Sequence, residues 1–108
     1  MSKREIVLAA DLGGTNLRVA AVSRDGKIIY RARRETPRAE SAKEIVSAIS
    51  EAAKECLQNI DEKISALAMA VPATINFKEG ITLTSPNLPA LVNFRMAQAL
   101  ENELNLTC

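Results

Sequence analysis

One short segment near the amino terminus constrains the fold of this chain more than any other. Residues 11 to 16 read Asp-Leu-Gly-Gly-Thr-Asn and lie between two apolar runs rich in β-forming residues, Ile6–Ala10 and Leu17–Val22. Two such runs joined by adjacent glycines predict a β-hairpin, because glycine allows a tight turn and a close approach of other atoms to its backbone. The first two strands are therefore expected to be antiparallel neighbours.

The same turn has the composition of an anion site. Approachable backbone amides and a threonine hydroxyl can bond phosphate oxygens, and a carboxylate beside them can hold a hydrated Mg²⁺ against the phosphates. The residues that this interpretation selects are Asp11, Gly13, Gly14 and Thr15. An ordinary Gly-Gly hairpin with an incidental aspartate is the alternative.

Composition excludes several classes of protein. Of 108 residues, 47% are apolar and 25% charged, which is typical of a folded globular chain, and a net charge of +1 gives no overall attraction to nucleic acid or anionic lipid. Four arginines near the end of the third predicted strand favour a charged strand edge over a binding surface; they are Arg31, Arg33, Arg34 and Arg38. We expect no nucleic-acid partner.

No apolar run reaches the length of a membrane span, and residues 1–5 lead directly into a strand. We therefore expect a cytoplasmic protein with no membrane partner. The chain has two distant cysteines and no histidine, so no zinc cluster or histidine-based triad is expected within these residues. Cys56 falls on the apolar side of a predicted helix, which predicts a core position.

Periodicity predicts the remaining elements. It predicts a three-strand antiparallel meander with strands at Ile6–Ala10, Leu17–Val22 and Lys27–Arg34. Ser41 and Glu44 make a capping box for an amphipathic helix that ends near Asn59, and the apolar run Ile64–Val71 predicts a strand that is parallel to its neighbour and buried on both faces.

Beyond Pro72, a small hairpin is predicted over Ile75–Leu83, and Asn93 is expected to cap a second helix with an inward side of Phe94, Ala97, Leu100 and Leu104. The sequence thus predicts an α/β fold with a mixed sheet and a right-handed crossover.

With these motifs in order, the chain resembles the N-terminal lobe of sugar kinases of the ROK family (repressors, open reading frames and kinases), most closely the glucokinases. Three segments carry the resemblance over essentially the whole chain. They are residues 10–18 (Ala-Asp-Leu-Gly-Gly-Thr-Asn-Leu-Arg), residues 70–76 (Ala-Val-Pro-Ala-Thr-Ile-Asn) and residues 80–89, which end in Ser-Pro-Asn-Leu-Pro. The resemblance implies the actin-like ATPase fold, related to ribonuclease H.

It also implies roles for individual residues. Asp11 would act on the Mg²⁺-phosphate complex through water, Gly13, Gly14 and Thr15 would contact phosphate, and Asn16 and Arg18 would orient the turn. For Arg18, a plain surface position is an equal alternative. Ala73, Thr74, Ser85 and Asn87 would approach the sugar, with an Asx-turn as the alternative for Asn87.

The chain departs from the usual family pattern at three positions. Ala73 stands where the family usually has glycine, Asn76 where it has aspartate, and Leu91 near a usual aromatic residue. Because an alanine lacks the backbone freedom of glycine and fills space beside the expected sugar, the departure at Ala73 bears on substrate identity more than on reaction type.

The resemblance places several parts of the enzyme after Cys108. These are the aspartate that serves as general base, the structural zinc cluster, later sugar-binding residues and the second lobe. Residues 1–108 are thus expected to be a truncated N-terminal lobe that is inactive alone. The resemblance implies that the whole enzyme is a homodimer that uses ATP and Mg²⁺ to phosphorylate a hexose, and the conversion of glucose to glucose 6-phosphate is favoured.

Two alternatives belong to other functional classes. A sugar-responsive transcriptional repressor of the same family is disfavoured, since five residues before the first strand leave no room for a helix-turn-helix and the phosphate turn is intact. The other alternative is a non-catalytic sugar-binding module.

Overall fold

The computed structural model describes residues 5–38, 41–86 and 88–108. Asn87, one of the expected sugar-binding residues, lies outside the described residues. The elements in chain order are β1 (Ile6–Leu12), β2 (Asn16–Ser23), β3 (Ile28–Glu35), α1 (Ala42–Gln58), β4 (Ile64–Ala70), β5 (Thr74–Asn76), β6 (Ile81–Thr84) and α2 (Met96–Leu104).

The main sheet has the order β3-β2-β1-β4. Its first three strands form the predicted antiparallel meander, and β4 pairs in parallel with β1 after the α1 crossover. Strands β5 and β6 form a separate antiparallel hairpin. The mixed sheet and the element types predicted from the sequence are confirmed.

Helix α1 begins and ends where the sequence predicts. The Ser41 hydroxyl accepts a hydrogen bond from the Lys43 N–H at 3.2 Å, which satisfies one of the free donors of the first turn. Its apolar face packs on β2 and β3. Cys56 is fully buried there, with its Sγ 3.5 Å from the Val19 carbonyl oxygen, so the predicted core position is confirmed.

The described residues cover the main sheet on one face only. Along β1, Ile6, Leu8, Ala10 and Leu12 are buried while the alternating residues are exposed. In β4, Ile64 and Leu67 are buried, but Ser65, Ala68 and Ala70 are exposed. The prediction that this strand is buried on both faces is wrong for this chain, because α1 covers one face and no element among residues 5–38, 41–86 and 88–108 covers the other.

Helix α2 begins later than predicted. Asn93 does not cap it: its backbone is left-handed, with φ of 48°, and its N–H donates to the Leu83 carbonyl at 3.1 Å. This turn lets Phe94 exchange backbone hydrogen bonds with Thr82, and the helix starts at Met96. Leu100 and Leu104 are buried as predicted.

Candidate active site

The connection between β1 and β2 consists of Gly13, Gly14 and Thr15. The Gly13 N–H donates to the Asn16 carbonyl at 2.9 Å, which closes the turn. A Cβ at Gly13 would lie 2.8 Å from that oxygen, closer than carbon and oxygen pack. Glycine is thus required by the close approach of backbone atoms, and Gly13 does not have a positive φ.

Thr36, directly after β3, holds this turn from the side. Its hydroxyl donates to the Gly13 carbonyl at 2.7 Å, and its N–H donates to the Thr15 carbonyl at 2.8 Å. The residue is 6% exposed. Sequence reasoning missed it, because its role depends on the register that pairs Asn16 with Glu35 and so places the next residue beside the turn.

These bonds leave the tip of the turn open. Gly14 and Thr15 are both exposed, and in the described part of the chain neither N–H donates to a protein acceptor. A recess of about 450 Å³ lies beside them, lined also by Glu35, Thr36, Pro37 and Arg38. Two consecutive free amides and a hydroxyl facing solvent are the donors that a phosphate group accepts.

Asp11 and Arg18 lie side by side on the open face of the sheet. They are paired residues of β1 and β2, and both are exposed. Arg18 is paired on its other side with Arg33, whose guanidinium donates to the Asn16 Oδ1 at 2.9 Å. The Asn16 amide is thus tied to β3, which suits an orienting role. A carboxylate and a guanidinium stand directly next to the turn.

The second motif lies at the same edge of the sheet. Because β1 and β4 are parallel, Asp11 pairs with Ala70 and both strands end together. The Ala73 N–H donates to the Val71 carbonyl at 2.9 Å, and Thr74 follows as an exposed residue at the start of β5. Ala73 does not adopt a positive φ, so alanine fits the turn without backbone strain.

Ser85 connects the third motif to the second. Its hydroxyl donates to the Pro72 carbonyl at 2.7 Å and accepts from the Leu88 N–H at 3.2 Å. The residue is 6% exposed. Since the single hydroxyl proton is already donated, the side chain holds the loop against the end of β4.

The other two departures from the family pattern have structural explanations. The Asn76 Oδ1 accepts from the Glu79 N–H at 3.2 Å, which stabilises the turn of the β5–β6 hairpin. Leu91 is fully buried in the core. Both side chains therefore have a structural role within the fold.

The described residues offer no cluster of three histidine, cysteine, aspartate or glutamate side chains that could hold a metal ion. Asp11 is a single exposed carboxylate beside free amides. This fits Mg²⁺, which is commonly held by one or two carboxylates together with substrate phosphates and water. In the part of the chain that the structure describes, neither helix has the length and apolarity needed to cross a membrane.

Comparison with known proteins places this geometry in a family. Residues 7–108 match the ROK family. The chain is 30% identical over 94 residues to a glucokinase from Thermotoga maritima, an alignment that covers 87% of this chain and 29% of that protein.

Solved structures show the same fold. A ROK family glucokinase from Streptomyces griseus, in complex with glucose and AMPPNP, superposes with a TM-score of 0.85 at 22% identity over 94% of this chain and 31% of that one.

A ROK family transcriptional regulator, a homologue of the E. coli MLC protein, superposes with a TM-score of 0.81 at 16% identity over 94% of this chain and 26% of that one. This chain therefore spans about a third or less of the length of these three proteins. The family match over nearly its whole length, together with the shared fold, shows that the chain belongs to the ROK family.

Proposed function

We propose that the protein containing these 108 residues transfers the γ-phosphoryl group of ATP to a hexose hydroxyl, with the 6-hydroxyl of glucose favoured. One observation supports this most: the parallel pairing of β1 with β4 and the bond from Ser85 to Pro72 bring all three motifs to one edge of the sheet. A phosphate-binding turn and two sugar-side loops would then be adjacent, as phosphoryl transfer requires.

On the phosphate side, the chain supplies donors and one carboxylate. The free N–H groups of Gly14 and Thr15 and the Thr15 hydroxyl would bond phosphate oxygens, and Asp11 would hold Mg²⁺ through water. Bound Mg²⁺ would neutralise charge that develops on the phosphoryl oxygens. Positioning and charge stabilisation are the main contributions in this class of reaction, so a pre-formed turn is what these residues must provide.

On the sugar side, Ala73 and the exposed Thr74 would line the sugar, while Ser85 would position the loop that carries Asn87. We further propose that residues 1–108 form the N-terminal lobe, with the general-base aspartate and any structural Zn²⁺ site in the sequence that follows. The lobe alone would then be inactive. A cytoplasmic homodimer without nucleic-acid or membrane partners remains part of the proposal.

The regulator relative supports one alternative, a sugar-responsive repressor, because its fold similarity is nearly as high as that of the glucokinase. ADP release by the full-length protein with glucose, mannose, fructose, N-acetylglucosamine and N-acetylmannosamine separates the two functions. Turnover with one sugar would establish the reaction and its substrate. If no sugar in the panel were turned over and the protein specifically shifted the mobility of a promoter DNA fragment, the repressor would be favoured.

Asp11 provides the sharpest test of the mechanism. Asp11→Asn in the full-length protein should abolish turnover and leave the fold intact, since Asp11 is exposed and contributes little to packing. Asp61→Asn, at an exposed aspartate in the linker before β4, is the matched control and should retain full activity. Turnover of Asp11→Asn within about tenfold of wild type would contradict the Mg²⁺ role, because tenfold is only ~1.4 kcal/mol of barrier.

A further inference from the structure

We propose that Thr36 is a positioning residue for the phosphate turn, acting through the backbone of Gly13 and Thr15. This inference rests on the proposed function and extends it to a residue outside the three motifs. Thr36 is separated from the turn by the whole of β2 and β3 in sequence, and only the strand register brings it there.

The geometry restricts the turn at two points. The Thr36 hydroxyl and N–H bond the carbonyls on either side of Gly14, at 2.7 Å and 2.8 Å. The Gly13 N–H is bonded to Asn16 in addition. Two of the three carbonyls of the turn, those of Gly13 and Thr15, are thus held by one buried residue, while the amides of Gly14 and Thr15 stay open.

Fixing the turn before the ligand arrives favours phosphate binding in two ways. Because the loop is already ordered in the free protein, binding loses little further conformational entropy there. The carbonyl oxygens of Gly13 and Thr15, which carry partial negative charge, are also kept away from the negatively charged ligand. Without the hydroxyl, the Gly13 carbonyl would lose a hydrogen bond that nothing else in the described residues replaces. The turn would then sample conformations that bind phosphate poorly.

Three variants of the full-length protein separate positioning from general stability. Thr36→Val removes the hydroxyl at nearly constant volume, and Thr36→Ser keeps the hydroxyl. Thr82→Val is the matched control: Thr82 is 2% exposed, and its hydroxyl also donates to a backbone carbonyl, that of Phe94, at 3.3 Å. Both valine variants should lower the melting temperature.

Only Thr36→Val should weaken nucleotide binding. We expect its Kd for MgAMPPNP, measured by calorimetry, and its KM for MgATP to rise about tenfold, the effect of losing one hydrogen bond worth roughly 1–1.5 kcal/mol. The KM for the sugar should stay within about twofold, and Thr36→Ser should restore nucleotide affinity. Amide exchange of the Gly13 N–H, which donates to the Asn16 carbonyl, should be faster in Thr36→Val than in Thr82→Val when measured without nucleotide.

The outcomes distinguish this inference from the proposed function. Wild-type MgAMPPNP affinity and wild-type exchange in Thr36→Val would overturn the positioning role even if the enzyme is active. A wild-type protein that phosphorylates none of the sugars would overturn the proposed function, and the Kd and exchange measurements would still decide the role of Thr36. A wild-type protein that does not bind MgAMPPNP would overturn both.

Discussion

At the scale of single residues, Gly13 and Gly26 show two different reasons for a glycine. Gly13 is confined by the Asn16 carbonyl, 2.8 Å from where its Cβ would be. Gly26, in the β2–β3 turn, has φ of +86° and nothing within 4 Å of the same position. Gly13 therefore excludes a side chain because there is no space for it, and Gly26 disfavours one because of its backbone conformation.

Alanine at the two positions should therefore have different consequences. Gly26→Ala should cost about 1–2 kcal/mol, the penalty of a left-handed conformation, and leave activity unchanged. Gly13→Ala should destabilise the full-length protein and also raise the KM for MgATP, because the turn must open to admit the methyl group. Thermal unfolding and steady-state kinetics of the pair test this. Equal kinetics for the two variants would contradict a functional role for the turn.

At the scale of elements, one polar network fastens α1 to β3. Glu55 of α1 accepts hydrogen bonds from the Tyr30 hydroxyl at 2.6 Å and from the Arg34 guanidinium at 2.7 Å. These two donors, Tyr30 first, lower the pKa of the Glu55 carboxyl, and the bond to Glu55 raises the pKa of Tyr30. The hydrogen bonds that join α1 to β3 thus stabilise the ionised form of Glu55 and the neutral form of Tyr30.

This network predicts a pH dependence of stability. Because the folded pKa of Glu55 is below its ordinary value of 4.5, its contribution is complete above that value and lost as pH falls through the folded pKa. The Tyr30 contribution is complete below pH 10 and lost as pH rises through the folded pKa. The free energies of unfolding of wild type and Glu55→Gln, measured by chemical unfolding, should thus differ at neutral pH and converge in acid.

Glu51→Gln, at an exposed position one turn earlier on α1, is the control for a general loss of charge. The free energy of unfolding of Glu51→Gln should differ less from that of wild type at neutral pH, and this difference should depend less on acid. A Glu55→Gln difference that persists unchanged through the acid range would show that ionisation of Glu55 does not stabilise this contact.

The sequence predicted elements well where the determining interactions are local. The 3.6-residue periodicity of α1, the Ser41 cap and the glycine turn between β1 and β2 all depend on neighbours in the chain, and the structure confirms each of them. Asn93 was misassigned because a helix cap and a left-handed turn favour the same residue type, and only its pairing with β6 distinguishes them. Thr36 was missed because its role depends on strand register.

At the scale of the whole molecule, the two edges of the main sheet differ. The β3 edge carries Arg31, Arg33 and Arg34, and such charges discourage pairing between sheets. The β4 edge carries small residues, and Thr107 meets it at one point, where the Leu67 N–H donates to the Thr107 carbonyl at 2.9 Å. An apolar groove of about 180 Å³ lies along it, lined in part by Met69, Val71, Ile75 and Leu100.

The 108-residue chain by itself should therefore associate through the β4 edge. Phe77, which is 87% exposed, also lines the groove there, and the described residues leave the neighbouring face of the sheet open. Light scattering at tens of micromolar should show dimers or larger species, and Phe77→Glu should shift them toward monomer. Ile28→Glu, at a 48% exposed residue of the arginine-lined edge, should leave the association unchanged. A monodisperse wild-type monomer would contradict the prediction, because an uncovered apolar edge of this kind gains free energy by burial against a second copy.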